Sequence, residues 1–327
     1  MVGRTKPARV CDDRLMSTKR DPSAAGVAAA PARPPAARAW FLAARPHTLP
    51  ASLSGVVAGI GAAYGAGAGF RADTAIECVL AALLLQIFAN LANDLSDFTR
   101  GADTPDRLGP ARATAAGWIS PRGMRAGLLA VALVAGGDGL LLTLAGGPAM
   151  LAIGVAAVIA ALAYTGGPWP FGYKGLGELF VFVFFGPVCV AATAYLQAGR
   201  LEPLHLAASI PAGAFAVAIL ATNNLRDIDT DRAAGKRTLA VRFGRGFARA
   251  EYPASLVAAW AAVLAVAPWN PFALLAFLPL PLAVPLVRTV YVEGDPRRFN
   301  RVLMNTGRVG FLFAVLFAAG LAAGGRL

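Results

Sequence analysis

The stretch AIECVLAALLLQIFANLA at residues 75–92 decides the fold class, because its eighteen residues carry a single charge, Glu77. A helix needs about 20 mainly apolar residues to cross the roughly 30 Å hydrocarbon core of a bilayer. Residues 303–323 form a second run of this kind near the end of the chain. Neither run alternates apolar with polar positions, as the strands of a membrane barrel do. The sequence therefore predicts an all-α, polytopic membrane protein.

The composition of the whole chain agrees with this prediction. Hydrophobic residues make up 57% of the 327 residues and charged residues only 15%, whereas a soluble domain carries about 25% charged residues. Gly- and Pro-rich clusters divide the chain into apolar segments of spanning length. We predict nine transmembrane helices: 45–66, 75–96, 122–145, 148–166, 177–198, 204–225, 249–267, 271–291 and 302–323.

The net charge of +12 raises the question of a nucleic-acid partner, but the distribution of the charge favours a bilayer. With nine spans, 27 of the thirty Lys and Arg residues fall on one side of the membrane and three on the other. Basic residues accumulate in cytoplasmic loops. We therefore predict a multi-pass protein of the bacterial inner membrane with a cytoplasmic N-terminus, in contact with lipid and not with nucleic acid.

Residues 1–38 have no apolar period and are rich in Ala, Pro, Arg and Ser, which is typical of a disordered segment. We predict a disordered tail over 1–38, with Met16 as an alternative start, followed by one nine-helix domain over 39–327. The three cysteines and two histidines are too far apart for a metal site or a disulfide framework.

Two predicted cytoplasmic loops contain clustered acids, each just after an even-numbered span. The first loop reads NLANDLSDFTRGADTPDRLGPAR over 90–112, and the second reads NNLRDIDTDRAAGKRT over 223–238. In each loop an asparagine precedes aspartates that are spaced three or four residues apart. This arrangement occurs twice, at matching places in the two halves of the chain, which favours a functional origin over ordinary solvated loop charges.

These acids are unfavourable unless a cation binds to them. They lie near helix C-termini, where the helix dipole disfavours anions, and they repel each other across one helix face. Mg²⁺ prefers oxygen ligands and typically takes one or two carboxylates together with substrate phosphates. Nearby basic residues, Arg112, Lys236 and Arg237, are suited to clamp a phosphate. The two clusters together predict a site that holds a pyrophosphate through Mg²⁺.

The two motifs resemble those of the UbiA-type intramembrane prenyltransferases, whose patterns are NxxxDxxxD and DxxxD. Asn93 and Asp97 match the first pattern, with Asp94 as an extra acid, and Asp227 and Asp231 match the second. The third acid of the first pattern is replaced by Gly101, and Asp103 follows two residues later. This departure and several flanking strings are similar to the 1,4-dihydroxy-2-naphthoate polyprenyltransferases of menaquinone biosynthesis: RPHTLP (45–50), GPARATAAGWISP (109–121), YTGGPWPFGYKGLGE (164–178) and GKRTLAVRFG (235–244).

The resemblance implies nine helices around a central cavity that opens toward the cytoplasm and into lipid. It also implies a reaction in which a polyprenyl group is transferred from polyprenyl diphosphate to 1,4-dihydroxy-2-naphthoate, with loss of CO₂ and diphosphate. The metal ligands would then be Asn93, Asp94, Asp97, Asp103, Asp227 and Asp231, with Asp94, Asp97, Asp227 and Asp231 catalytic. The substrate-binding residues would be Arg45, Asn93, Arg112, Tyr164, Lys174, Asn223, Lys236 and Arg237.

Several alternatives stay open at this point. Tyr164 and Lys174 either bind substrate or anchor the chain at the membrane interface, and Arg45 either contacts substrate or marks that interface. Glu178, at a helix start, favours a capping role, and the phenylalanines of 180–185 favour contact with lipid over a role in the cavity. Another aromatic acceptor, a phytyl donor, or a membrane transporter are the competing functions.

Overall fold

The computed structural model describes residues 33–103 and 107–324, and within these ranges the chain is helical and contains no strand. The first six helices are α1 (Ala36–Ala44), α2 (Leu49–Gly65), α3 (Ala72–Thr99), α4 (Pro121–Gly146), α5 (Pro148–Thr165) and α6 (Gly177–Val183). The others are α7 (Cys189–Ala198), α8 (Pro203–Ala233), α9 (Leu239–Val266), α10 (Leu280–Val292) and α11 (Phe299–Gly324). A wide helical turn, Phe184–Val188, joins α6 to α7 around Pro187.

The predicted disordered tail lies outside the described residues as far as residue 32. The described part of the chain begins at residue 33, and α1 begins at Ala36, three residues before the predicted boundary. The apolar side chains of Trp40, Phe41 and Leu42 on this short helix are exposed.

Six helices in the described ranges are long and apolar enough to span a membrane: α3, α4, α5, α6 joined to α7, α8 and α11. The segments Pro271–Phe277 and α10, bent by 43° relative to each other, give a seventh if they form one span. All nine predicted segments coincide with helical structure. However, α2 has only 17 residues, and α9 carries arginines in its first half and a helix break at Gly244. The fold class is therefore confirmed, whereas the count of nine spans stays a prediction.

The largest apolar core is formed by α2, α8, α9 and α11. Small residues allow close contact between these helices, as where Gly61 of α2 lies directly against Ala318 of α11. The most apolar 18-residue stretch of each helix differs in burial: only 6% of these residues are buried in α4 and 11% in α5, against 56% in α8. The bundle therefore has a well-packed side and a thin side, and α4 and α5 form the thin side.

The loop after α8 is shaped by a glycine. The helix ends at Ala233, and Gly235 adopts the left-handed conformation with φ of +73°, which a glycine tolerates without strain. The Lys236 amide then donates to the Asp231 carbonyl at 2.9 Å. This turn directs Lys236 back over the end of α8, beside Asp231.

Asn300, at the start of α11, ties the two acidic loops together. Its amide donates to the Leu108 carbonyl in the first loop at 3.0 Å, and its Oδ1 accepts from Arg226 in the second at 2.7 Å. The two loops therefore lie side by side at one end of the bundle.

Candidate active site

A cavity of about 780 Å³ lies next to the two acidic loops. One end is polar and is lined by residues from both motifs: Asn93, Asp97, Asn223, Asp227, Asp231 and Lys236. The other end is apolar and is lined by the thin side of the bundle, including Leu140, Leu151, Ile153, Val155 and Val158. A charged end that continues into an apolar chamber suits a molecule with a charged head and a hydrocarbon tail.

Asp97 is the carboxylate of the first motif that faces the cavity. It is almost fully buried, and its Oδ2 accepts from Arg112 at 2.6 Å while its Oδ1 accepts from the Tyr173 hydroxyl at 2.7 Å. Arg112 keeps two buried nitrogen atoms without a hydrogen-bond partner among the described residues. The guanidinium can therefore hold Asp97 and still donate to an anion in the cavity.

Asp94 has a different environment from the one that the sequence predicts. Its two carboxylate oxygens accept from the backbone amides of Ala113 and Thr114, each at 2.9 Å, and it does not line the cavity. Both oxygens are committed to holding the loop that follows Arg112. Because Asp94, unlike Asp97, also lies away from the cavity, its placement favours a role in shaping the site.

Asp103 lies behind Arg107 and Arg112 and is nearly fully buried. Its Oδ1 is 2.8 Å from Arg107 and 3.5 Å from Arg112, while its Oδ2 is buried without a partner among the described residues. Burial, opposed by Arg107, raises the pKa of this carboxyl to about 6. An unpartnered buried carboxylate oxygen is a position that a cation would stabilise.

In the second motif, Asp227 is paired with its own neighbour. Arg226 donates to both oxygens of Asp227, at 2.8 and 2.5 Å, and also to Asn223 Oδ1 at 2.6 Å. Arg226 is only 3% exposed and lines the cavity. Its guanidinium therefore fixes the orientation of Asp227 and Asn223 at the cavity wall.

Lys236 brings the two motifs together. Its Nζ is 3.3 Å from Asp231 Oδ1 and 3.9 Å from Asp97 Oδ1, so one ammonium lies between a carboxylate of each motif. The same Nζ lies 4.8 Å from the centre of the Tyr173 ring, a cation–π distance. Asp97 and Asp231 are 134 residues apart in the chain. The shared ammonium group therefore joins the two motifs into one charged site.

Arg45 adds a further positive charge to the cavity wall. It has the only left-handed backbone among the described non-glycine residues, with φ of +52°, and its buried Nη2 has no hydrogen-bond partner in the described part of the chain. A half-buried cation that lines the cavity, with a left-handed backbone and an Nη2 atom without a partner among the described residues, is placed to bind an anion.

Two predicted phosphate-binding residues lie away from the cavity. Lys174 and Arg237 are exposed, and they contribute backbone atoms instead: the Arg237 amide donates to the Tyr173 carbonyl at 2.8 Å, and the Lys174 carbonyl accepts from Arg242. The prediction that they bind substrate is not supported by this placement.

Asn93 and Tyr164 do line the cavity. Asn93 Oδ1 accepts from Thr165 at 2.9 Å, and the Tyr164 ring packs edge-on against Phe171 at 5.4 Å. Phe180, Phe184 and Phe185 line the cavity as well, a position that favours a role in the cavity over contact with lipid alone. Phe184 and Phe185 lie in the wide turn Phe184–Val188, and such turns often occur at functional sites.

Comparison with known proteins decides the family. The profile of the UbiA prenyltransferase family matches residues 52–309. This chain belongs to the UbiA prenyltransferase family. It is 38% identical to the 1,4-dihydroxy-2-naphthoate octaprenyltransferase of Mycobacterium tuberculosis, an alignment that covers 87% of this chain and 97% of the relative.

Solved structures of the UbiA family share the fold. A UbiA homologue from Aeropyrum pernix K1, in its apo form, is 17% identical and superposes with a TM-score of 0.63 over 84% of this chain and 97% of the homologue. A homologue from Archaeoglobus fulgidus bound to GPP and Mg²⁺ is 18% identical, with a TM-score of 0.53 over 87% of this chain and 99% of its own.

The residues of this UbiA-family site fit Mg²⁺ only with help from a substrate. Three carboxylates with oxygen donors, Asp97, Asp227 and Asp231, line the polar end of the cavity. Within the described ranges, however, no three His, Cys, Asp or Glu side chains are close enough to hold a metal by themselves. Mg²⁺ commonly binds through one or two carboxylates, waters and substrate phosphates. The donor set therefore fits a magnesium diphosphate and not an all-protein metal cage.

Two site residues are missing from the sequence prediction. Arg226 lies inside the quoted second motif, and Tyr173 lies inside YTGGPWPFGYKGLGE, directly before the predicted Lys174. Arg226 could have been found as a basic residue beside a motif aspartate. Burial, together with Asp97, raises the pKa of the Tyr173 hydroxyl above its ordinary value, so this group stays a hydrogen-bond donor.

Proposed function

We propose that this protein transfers a polyprenyl group from polyprenyl diphosphate to 1,4-dihydroxy-2-naphthoate, giving demethylmenaquinol, CO₂ and diphosphate. The observation that carries the proposal is the position of Lys236 between Asp97 and Asp231, at the polar end of a cavity whose other end is apolar. A polyprenyl diphosphate has the same division into charged head and apolar tail. Residues 39–327 would form one domain for this reaction, and the identity to a named octaprenyltransferase supports the choice of acceptor.

The proposed reaction needs no nucleophile from the protein. The bond between the allylic carbon and the diphosphate oxygen breaks, and its electron pair leaves with the diphosphate. The ring carbon that bears the carboxylate bonds to the allylic carbon, and the electrons of the ring–carboxylate bond return to the ring as CO₂ departs. Bound Mg²⁺ would supply stabilisation of the negative charge that develops on the leaving diphosphate.

The protein's residues would bind and orient the two substrates. Asp97, Asp227 and Asp231 would hold the magnesium diphosphate, and Lys236, Arg112 and Arg45 would donate to its phosphate oxygens. The aromatic and aliphatic walls would exclude water from the allylic cation, which water would otherwise capture.

A single assay tests the proposal. Membranes that contain the protein are incubated with Mg²⁺, a labelled prenyl diphosphate and a small panel of aromatic acceptors. We expect a prenylated, decarboxylated product with 1,4-dihydroxy-2-naphthoate and none in excess chelator, with Mn²⁺ replacing Mg²⁺ in part. Preferential use of another aromatic acceptor, or of a phytyl donor only, would contradict the proposed substrates but keep the enzyme class.

The topology is part of the same proposal. Nine spans would put the N-terminus and both acidic loops in the cytoplasm, with 27 of thirty basic residues on that side. A reporter that works only in the cytoplasm should be active when inserted near residue 104, and a reporter that works only outside should be active at the C-terminus. Cytoplasmic signal from both fusions would contradict nine spans.

A further inference from the structure

A buried carboxyl–amide pair lies beside the polar end of the cavity and is not part of either acidic motif. Glu178, in the first turn of α6, is 7% exposed, and Asn224 of α8 is 5% exposed. Asn224 Nδ2 donates to Glu178 Oε1 at 2.7 Å. Asn224 lines the cavity, whereas Glu178 lies behind it. A carboxyl group that only capped α6 would have no need of this amide from another helix.

The pair fixes which end of the amide faces the cavity. Asn224 Nδ2 donates to the Glu178 carboxyl group, so the nitrogen of Asn224 faces Glu178 and the oxygen faces away. Asn224 Oδ1 has no hydrogen-bond partner among the described residues. Glu178 therefore presents Asn224 to the cavity as a hydrogen-bond acceptor, whereas a freely rotating amide could be a donor or an acceptor.

The position of Asn224 along α8 relates it to the diphosphate site. Asp227 and Asp231 follow it by three and seven residues, so the three side chains share one helix face. With a rise of about 1.5 Å per residue, Asn224 lies about 4.5 Å along the helix from Asp227, on the membrane side. A group bound to Asn224 would thus lie next to the allylic end of a diphosphate held by the two aspartates.

Aromatic rings lie near the Glu178–Asn224 pair. Phe171 and Phe180 stack with their ring centres 3.9 Å apart, and both line the cavity together with Tyr164. The Tyr164 hydroxyl lies close to Gly177, the residue before Glu178. Flat apolar surfaces beside one hydrogen-bond acceptor are what an aromatic ring with a hydroxyl group needs.

We propose that Asn224 Oδ1 accepts a hydrogen bond from a ring hydroxyl of the aromatic acceptor and that Glu178 is the positioning residue that holds the amide in this orientation. The inference rests on the proposed function, because it assumes an acceptor with a ring hydroxyl. A hydrogen bond donated by the hydroxyl increases the electron density of the ring and so favours attack on the allylic cation. It also selects against rings without a hydroxyl, because a buried oxygen would then lose its partner.

The experiment compares two ring compounds that differ by a hydroxyl, 1-hydroxy-2-naphthoate and 2-naphthoate. Binding of each to the purified full-length protein in detergent is measured by isothermal titration without a prenyl donor, for wild type and for Asn224→Ala, Glu178→Gln and Glu178→Asp. Asn270→Ala is the matched control, because Asn270 is also a buried asparagine, bonded to the Leu321 carbonyl, and does not line the cavity.

We expect wild type to prefer the hydroxylated ring by about tenfold, the effect of one hydrogen bond at 1.4 kcal/mol. Asn224→Ala should remove this preference. Glu178→Gln should reduce it, because a glutamine pairs with either end of the amide, and Glu178→Asp should restore part of it. Magnesium-dependent binding of a prenyl diphosphate should stay within twofold in all of these variants, and Asn270→Ala should keep the preference.

Three results would overturn the inference. The first is a hydroxyl preference retained in both Asn224→Ala and Glu178→Gln, and the second is a loss of affinity that is equal for the two rings, which would indicate a purely structural role. The third is absence of the preference in wild type. A wild type that prenylates no hydroxynaphthoate contradicts the proposed function instead. If Glu178→Gln does not fold, Asn224→Ala and Glu178→Asp still decide between these results.

Discussion

The two acidic motifs have similar sequences, but the structure uses their carboxylates differently. At the end of α3, Asp97 faces the cavity while both oxygens of Asp94 accept backbone amides of the following loop. At the end of α8, both Asp227 and Asp231 line the cavity. In the first motif, Asp94 thus stabilises the fold of its loop and Asp97 lines the cavity, whereas in the second motif both aspartates line the cavity. Similar charge spacing does not imply similar function.

The largest effects should come from the acids that line the cavity in each motif. Asp97→Ala and Asp227→Ala should each lower prenyl transfer by at least about a thousandfold, because each removes a proposed ligand of the magnesium diphosphate. Turnover in membranes and the amount of protein in the membrane fraction are the measurements. Activity within a few-fold of wild type in both variants would contradict a single site shared by the two motifs.

The residue that connects the motifs should come next. Lys236→Met removes the ammonium that lies between Asp97 and Asp231, and we expect turnover to fall about a hundredfold, as for loss of one donor that stabilises developing charge. Kinetics at saturating donor and acceptor measure the effect. Equal turnover in Lys236→Met and wild type would show that the contact has no part in catalysis.

Asp94 should differ from the other motif acids by acting on stability. Asp94→Ala leaves two buried backbone amides without their charged acceptor and should destabilise the fold by about 3 kcal/mol. Asp229→Ala is the control, because Asp229 is exposed and paired only with surface arginines. A lowered melting temperature in detergent, seen for Asp94→Ala but not for the control, is expected. Unchanged melting with complete loss of magnesium-dependent diphosphate binding would instead make Asp94 a ligand.

The smallest effects should come from the two exposed basic residues. Lys174→Ala and Arg237→Ala should change turnover by less than about twofold, because exposed side chains outside the cavity contribute little. Steady-state kinetics with varied prenyl diphosphate would detect a role in binding. A tenfold rise in the donor KM of either variant would show that its side chain reaches the site during turnover.

The sequence predicts the acidic clusters and the helical class, but not which side chains face the cavity. Each residue turns an α-helix by 100°, so Asn93 and Asp97 share a face, and both line the cavity. Asp94 is rotated away from both, toward a loop some twenty residues later in the chain. Spacing within the motif contains part of this information, whereas the partner of Asp94 depends on tertiary contacts.

The direction of side chains in short loops is harder to predict from sequence than that of side chains on helices. Tyr173 and Lys174 are neighbours in a tight turn over Phe171–Lys174, and Lys236 and Arg237 follow a glycine turn. In such turns neighbouring side chains point in different directions, so that Lys236 contacts Asp231 while the Arg237 side chain is exposed. Composition alone therefore identifies the loop as basic but cannot say whether Lys236 or Arg237 faces Asp231.

The most direct test of the central claim is the binding of a prenyl diphosphate as a function of Mg²⁺, measured on the purified protein without any aromatic acceptor. The claim is that Asp97 and Asp231, on either side of Lys236, hold one magnesium diphosphate. We predict binding that requires Mg²⁺, disappears in excess chelator, and is weakened at least about tenfold by Asp97→Asn and by Asp231→Asn, each losing one metal contact. Binding of equal affinity in chelator, or a loss in only one of the two variants, would contradict a site shared by the two motifs.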